Sequence, residues 1–330
     1  MAEHLPMIFA ALMGVAILIY VVLDGFDLGV GILSPQAAPA ERDRMVASIG
    51  PFWDANETWL VLAVGILLVA FPAAHGMILS ELYLPVALML VGLILRGVSF
   101  EFRAKAPPRF KPAWDQAFFA GSLLAALSQG FMLGMYILGL QWSLGAVAFA
   151  TLTAGCLAVG YSFIGACWLI WKCEGALQRQ AVAWARRAFW GICLGLVAVS
   201  LATPLASPRI FDKWVSWQGI VLLGSMPLLT ATVAVLLDRL LRRMPLPGDA
   251  WAWLPFALSS MLVVLAFCGL AYSFTPYIVP ERLTIAEAGA APESLAIILV
   301  GVVVVMPMIL AYTALSYVIF RGKARPLSYE

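Results

Sequence analysis

The chain reads as an all-α integral membrane protein of about nine transmembrane helices, and three observations carry that reading. Hydrophobic residues fill 63% of the 330 positions and charged residues only 12%, against roughly 45–50% and about 25% in soluble domains. Mean hydropathy is +0.96; no soluble fold of this length hides so much apolar surface, so the solvent is lipid. The apolar residues also fall into runs of the length, roughly 20 residues, that crosses about 30 Å of hydrocarbon.

In order, the runs cover about residues 7–33, 54–74, 79–101, 115–139, 145–171, 184–204, 216–238, 251–275 and 293–320. One transmembrane domain over 1–330 is expected, with helices 1–4 at about 7–139, helices 5–8 at about 145–275 and helix 9 at about 293–320. The first run opens near Pro6 with only His4 as a basic flank and no small-residue cleavage site, so it is a retained helix rather than a signal peptide. The longest connections, 34–53, 102–114, 172–183 and 276–292, are too short for a separate soluble domain. Small residues recur at helical spacing, as in Gly25/Gly29 and Gly130/Gly134, which lets helix backbones approach where no hydrophobic effect drives them together. Pro72, Pro85, Pro204, Pro227 and Pro307 fall within or near the ends of spans, where proline kinks a helix.

Basic residues set the orientation. Every Lys and Arg except Arg96, Arg209, Lys213 and Arg282 follows an odd-numbered helix, from Arg42 and Arg44 through Arg103–Lys111, Lys172–Arg187 and Arg239–Arg243 to Arg321, Lys323 and Arg325. That asymmetry places the N-terminus outside and the C-terminus in the cytoplasm, and it requires an odd helix count. The formal net charge of +2 is spread over short connections and makes no basic surface for nucleic acid.

An ionised side chain at mid-bilayer costs about 2.5–3.5 kcal/mol even on the lenient insertion scale, so the charges inside the runs need a reason. Helix 1 carries Asp24 and Asp27, three apart and therefore on one face. Helix 2 opens with Asp54 and Glu57, again three apart; helix 3 carries Arg96, with Glu101 and Arg103 beyond it. Given the orientation, all of these converge on the cytoplasmic boundary of three neighbouring helices. Two readings follow. In the structural one, Arg96 neutralises an acid and Asp54 caps helix 2. In the functional one, some of the acids carry protons from the cytoplasm toward a buried acceptor.

Other chemistry is thinly represented. The only histidines, His4 and His75, sit at run ends, so a bis-histidine haem site and a metal cluster are not expected. Cys156, Cys167, Cys173, Cys193 and Cys268 form no C-x-x-C pair and read as buried free thiols. No P-loop or dinucleotide fingerprint stands out. The remaining polar residues in spans, Ser128, Gln129, Gln218, Tyr312, Thr313 and Ser316, suit interhelical hydrogen bonds. Alone, the chain offers no redox centre.

Several stretches resemble subunit II of the cytochrome bd-type quinol oxidases, including the cyanide-insensitive branch. They are Asp24–Gly31 (DGFDLGVG), Gly50–Leu60 (GPFWDANETWL), Gly92–Arg103 (GLILRGVSFEFR), Lys172–Gly175 (KCEG), Pro276–Pro280 (PYIVP) and Phe320–Lys323 (FRGK), in order along almost the whole chain. The resemblance implies two four-helix bundles plus one peripheral helix, in a bacterial inner membrane. It implies a heterodimer with a haem-bearing subunit I that holds haem b and haem d, while this chain binds no haem. It leaves room for a small single-helix subunit and for a structural quinone. Such a complex oxidises quinol and reduces dioxygen to water with protons from the cytoplasm. By position, Asp54 would lie on a proton pathway at the interface with subunit I, flanked by Asp24 and Asp27, with Glu57 as a further candidate; Arg96 and Glu101 would be structural ion-pair residues. Ala55 stands where the family often has glycine, a departure that leaves the acids intact.

Two other classes compete. A proton-coupled secondary transporter usually shows inverted repeats and helices broken at the midplane, whereas these acids cluster at one boundary and the two halves do not share the motif. A purely structural membrane scaffold leaves the pooled acids unexplained.

Overall fold

Apolar side chains all around a helix, and backbone groups that must be satisfied without water, dictate what a lipid-embedded chain can build. The computed structural model describes residues 4–206 and 208–324. Its helices are α1 (Leu5–Leu33), α2 (Pro39–Ile49), α3 (Trp53–Ala70), α4 (Pro72–Glu81), α5 (Tyr83–Lys105), α6 (Lys111–Ile137) and α7 (Leu144–Lys172). They continue with α8 (Gly175–Ala206), α9 (Pro208–Val215), α10 (Trp217–Leu241), α11 (Leu254–Phe274), α12 (Ile285–Ala288) and α13 (Pro292–Ile319). Among the described residues, nine are long and apolar enough to cross a membrane: α1, α3, α5, α6, α7, α8, α10, α11 and α13.

Local chemistry sets their ends. Ser143 caps α7 by accepting from the Ala146 N–H at 3.1 Å, and Ser216 caps α10 by accepting from Gly219 N–H at 3.1 Å. The second run was expected to continue to 74, but α3 stops at Ala70. Proline disfavours helical geometry in the residue before it, and Phe71, preceding Pro72, leaves it with φ −135° and ψ 58°. The chain restarts as α4, which fills most of the expected connection and delays the third span to Tyr83. The connections are also more ordered than their composition suggests. Within 34–53 lies α2, whose second half, from Met45 to Ile49, is buried. Tyr277–Val279 pairs antiparallel with Leu283–Thr284, and Thr284 then forms a reciprocal capping box with Glu287 to open α12. α8 begins at Gly175 rather than near 184, carrying Arg179, Arg186 and Arg187 on a helical extension.

α7 is the hub. It packs on α1, α6, α8 and α11, and also supports α2. α1 joins α3 and α6, and α5 lies along α6; on the other side α8, α10 and α11 close a ring with α7. α13 stands at the margin, with α1 and α3 as its firmer neighbours. Close approach at the hub depends on absent side chains. A Cβ built at Gly29 would lie 1.8 Å from the Tyr161 carbonyl oxygen, and one at Gly165 would lie 2.7 Å from the Gly29 backbone. Likewise a Cβ at Gly130 or Gly134 would come within 2.6 Å of Ala154 Cα or 2.5 Å of Ala150 Cα. Between these helices lies an aromatic core in which Phe26 stacks on Trp168 at 4.0 Å and Phe52 stacks on Tyr317 at 4.5 Å.

Two of the resembling motifs clasp each other. The Lys172 ammonium donates to the carbonyls of Phe320 (2.7 Å) and Gly322 (3.2 Å) and lies 4.9–5.4 Å from the rings of Phe52, Trp168 and Trp171. Lys323 reaches back to the carbonyls of Trp171 (2.8 Å) and Cys173 (3.2 Å) and pairs with Asp249. Arg325 lies outside the described residues. The clasp ties the end of α13 to the α7–α8 junction.

Because the atoms facing Gly29 are backbone and cannot swing away, Gly29→Val should destabilise the α1–α7 crossing by about 3 kcal/mol, the upper range for overpacking. Gly301→Ala on α13, where nothing lies within 4 Å, should stay within about 0.5 kcal/mol of wild type. Thermal melting of the detergent-solubilised protein separates the two.

Candidate functional site: a buried ionic cluster

α1, α3 and α5 bring their charged residues to one end of the bundle. Asp24 and Asp27 are fully buried on α1, and the Arg96 side chain on α5 is 2% exposed. Arg96 Nη1 donates to Asp24 Oδ1 at 2.6 Å, while Nη2 lies 3.7 Å from Glu57 Oε2 on α3. The guanidinium also sits 5.9 Å from the centre of the Trp53 ring. Asp27 is held differently: Asn56 Nδ2 donates to its Oδ2 at 2.8 Å and to the Leu23 carbonyl at 3.3 Å. The Tyr317 hydroxyl from α13 donates in turn to Asn56 Oδ1 at 3.2 Å. Three polar atoms in this cluster, Asp24 Oδ2, Asp27 Oδ1 and Arg96 Nη2, are buried without a hydrogen-bond partner among the described residues. Native proteins rarely leave buried polar atoms so, and here all three belong to one cluster.

Exposure grades outward from this centre. Glu57 has a side chain 26% exposed, and Asp54, one turn earlier on α3, is exposed. Asp54 lies in the first turn of α3, where free backbone N–H groups favour an anion, and it interacts electrostatically with Glu57. On the inner side Tyr20, one turn before Asp24 on α1, interacts with that carboxylate. The Tyr20 hydroxyl accepts from Gln129 Nε2 at 2.8 Å, and Gln129 Oε1 accepts from the Tyr161 hydroxyl at 2.7 Å. Polar groups therefore run from the exposed Asp54 through Glu57, Arg96 and Asp24 to Tyr20, Gln129 and Tyr161.

Of the residues singled out in the sequence, Asp24, Asp27, Glu57 and Arg96 come together, and Asp54 borders them. Glu101 does not join. Five residues along a helix turn it about 140° away from Arg96; it is exposed and makes no ion pair among the described residues. The acids that Arg96 meets are Asp24 of α1 and Glu57 of α3, two of those the sequence brought to the same boundary. Arg103, expected only as a flanking charge, anchors a second tie: it pairs with Asp115 and, at 2.8 Å, with Asp43, while Arg42 joins Asp115 at 3.3 Å. This fastens the segment between α1 and α3 to the ends of α5 and α6. Asn56, Tyr317, Tyr20 and Tyr161 were not read as site residues, because each acquires its role from a helix distant in sequence. Asn56 alone carried a local signal, lying between Asp54 and Glu57. The Gln218 side chain lies outside the described residues.

His4 is exposed at the start of α1 and His75 is half-buried on α4; both are at the end of the bundle remote from the cluster. No group of three or more His, Cys, Asp or Glu is placed to hold a metal among the described residues. The five cysteines are free, and burial pushes the Cys173 thiol up to about 12, which disfavours the thiolate.

Removing one member of a buried ion pair leaves an uncompensated charge, at about 3–5 kcal/mol. Arg96→Met should therefore lower the melting temperature and the yield of assembled protein, and adding Asp24→Asn should recover part of the loss. A double variant no better than Arg96→Met would show that the two residues act independently.

The geometry now has relatives to set beside it. The family model described as cytochrome bd terminal oxidase subunit II matches residues 5–320. The chain is similar to the cytochrome bd-I ubiquinol oxidase subunit 2 of Escherichia coli, at 28% identity over 96% of this chain and 94% of that protein. It is similar to the cytochrome bd ubiquinol oxidase subunit 2 of Bacillus subtilis, at 26% identity over 93% and 94%. In fold it resembles a chain of the bd oxidase from Geobacillus thermodenitrificans with a TM-score of 0.77, 18% identity, and coverage of 97% and 99%. A match across nearly the whole length, on a bundle with nine candidate spans, places this chain in the cytochrome bd terminal oxidase subunit II family.

Proposed function

We propose that this chain is the haem-free subunit II of a quinol:oxygen oxidoreductase in a bacterial inner membrane, and that its ionic cluster conducts protons. The observation that carries the proton role is the graded chain of polar groups from exposed Asp54 to buried Asp24. In this reading the basic end of the bundle faces the cytoplasm. Asp54 takes up a proton at the boundary with subunit I, and Glu57 receives it one turn along α3. Arg96 keeps Asp24 and Glu57 in place and offsets one of their charges, leaving the cluster with acids in excess. Asp27, held by Asn56, which Tyr317 holds in turn, belongs to the same cluster. The chain acts as one transmembrane domain whose two helix groups, about 7–139 and 145–275, meet at α7.

The family name denotes a cytochrome complex, so haem must be accommodated somewhere. The residues here do not fit a histidine-ligated haem, because the only two histidines lie on the exposed start of α1 and on α4, outside the spans. We assign haem b, haem d, quinol oxidation and dioxygen reduction to the partner subunit I. This chain supplies walls and proton access, and a further single-helix subunit is compatible with its lipid-facing surface. A secondary transporter is not supported, since the curated relatives are oxidase subunits along nearly the whole chain.

Two measurements test this. A reduced-minus-oxidised spectrum of the complex purified through this chain should show b- and d-type haem bands; a colourless preparation would remove the oxidase assignment. Asp54→Asn should slow quinol-driven oxygen consumption about a hundredfold, the lower end of the range for a lost proton-transfer group, with haem content unchanged. Unaltered turnover and membrane-potential generation would exclude Asp54 from the route, and loss of assembled complex would make it structural.

A further inference from the structure

The thin packing of α13 leaves a groove between it and α11. A cavity of about 440 Å³ lies there, with Leu23 and Trp171 as its floor, Phe256 and Ala257 on one wall, and Thr313 and Ala314 on the other. Its walls are apolar apart from a few hydroxyls. Ser260 spends its hydroxyl on the Phe256 carbonyl at 2.8 Å, Tyr317 spends its own on Asn56, and Thr313 Oγ1 is buried and unpartnered. A second cavity of about 200 Å³ shares Trp171 and Trp253 with the first, and is bordered by Asp249, Arg321 and Lys323. The two adjoin at these tryptophans: an apolar slot between membrane-spanning helices, with a charged mouth beside it at the basic end.

The charges at the mouth are unequal. Lys323 is committed to Asp249 and to two backbone carbonyls. Arg321 is exposed and has no ion-pair partner among the described residues, so the mouth carries a net positive charge with a free guanidinium. Lys172 lies directly beneath, buried among rings and carbonyls with no acid paired to it. Tryptophans flank such an opening where headgroups meet hydrocarbon. A gap between helices in lipid does not stay empty, because its lining would forfeit dispersion contacts on one side.

We infer that this groove between α11 and α13 is a binding site for one anionic phospholipid, with an acyl chain in the apolar slot and the phosphate at Arg321. Phosphate suits a guanidinium that can present two N–H donors at once. The lipid supplements the thin α11–α13 packing and completes the anchorage begun by the Lys172–Lys323 clasp.

The test uses the intact oxidase complex. Complex purified in mild detergent is stripped of lipid, then incubated with vesicles of phosphatidylcholine alone or with phosphatidylglycerol added, and retained lipid is counted by native mass spectrometry. Wild type should retain one phosphatidylglycerol that phosphatidylcholine does not replace. Arg321→Gln should lower that occupancy at least fivefold, and Ala314→Phe, which blocks the slot without touching any charge, should abolish it. Haem content confirms that each variant assembles, and retention is compared only among assembled complexes. Equal retention in wild type and both variants, equal preference for the two lipids, or a quinone in place of the phospholipid would each overturn the proposal.

Discussion

A guanidinium in the interior of a membrane bundle stays there only if carboxylates meet it, and the pairing of Arg96 with Asp24 satisfies that condition for this chain. The contact spans α1 and α5, two helices that are otherwise joined chiefly through α6. Its geometry constrains what surrounds it. α3 must start where Glu57 reaches the second Nη, and Asp27, left without a cation of its own, must find a neutral donor, which Asn56 provides. Through Asn56 the constraint extends to Tyr317 and hence to the otherwise loosely held α13. One ion pair thus fixes the register of the helices around it.

The same arrangement explains why the cluster is built from acids in excess over cations. A fully neutralised pair would be a sound anchor and nothing more. Here Arg96 faces Asp24 and Glu57, with Asp27 close by, and three polar atoms remain without hydrogen-bond partners among the described residues. Unsatisfied buried groups cost stability, and such costs are concentrated where function requires them. An excess carboxylate that is not locked by hydrogen bonds can exchange a proton, whereas one accepting several strong bonds cannot. Strength at Arg96–Asp24 and looseness around it belong to one design.

Much of this was legible in the sequence because hydrocarbon simplifies the rules. Apolar run length located every span, and the few charges inside the runs drew attention to Asp24, Asp27, Glu57 and Arg96 before any coordinates. What could not be read was pairing. Glu101 reads in the sequence as an ion-pair residue, yet helical rotation turns it outward, and which of the pooled acids meets Arg96 is set by the packing of Gly29 against Tyr161 and Gly92 against Gly121. Asn56, Tyr317 and Gln129 are unremarkable as single polar residues; their roles exist only once α13, α1, α6 and α7 are adjacent. The connections were misjudged for a related reason. The polar, proline-bearing segment 34–53 reads as a loop, but an interface between water and lipid rewards a short helix such as α2 that buries part of its surface.

The C-terminal clasp shows how little hydrophobic matching contributes to holding a peripheral span in lipid. α13 is apolar along nearly its whole length, yet lipid tails offer it as much apolar contact as its neighbours do, so hydrophobicity gives it no reason to stay. What retains it is polar: Tyr317 on Asn56 in its last turn, then the Phe320 and Gly322 carbonyls on Lys172, and Lys323 on the Trp171 and Cys173 carbonyls. Each of these contacts reaches α1, α3 or α7, the helices that carry or support the ionic cluster. The outermost helix is therefore coupled to the acids through hydrogen bonds rather than through packing, and a change in how α13 is seated would be felt first at Asn56 and Asp27.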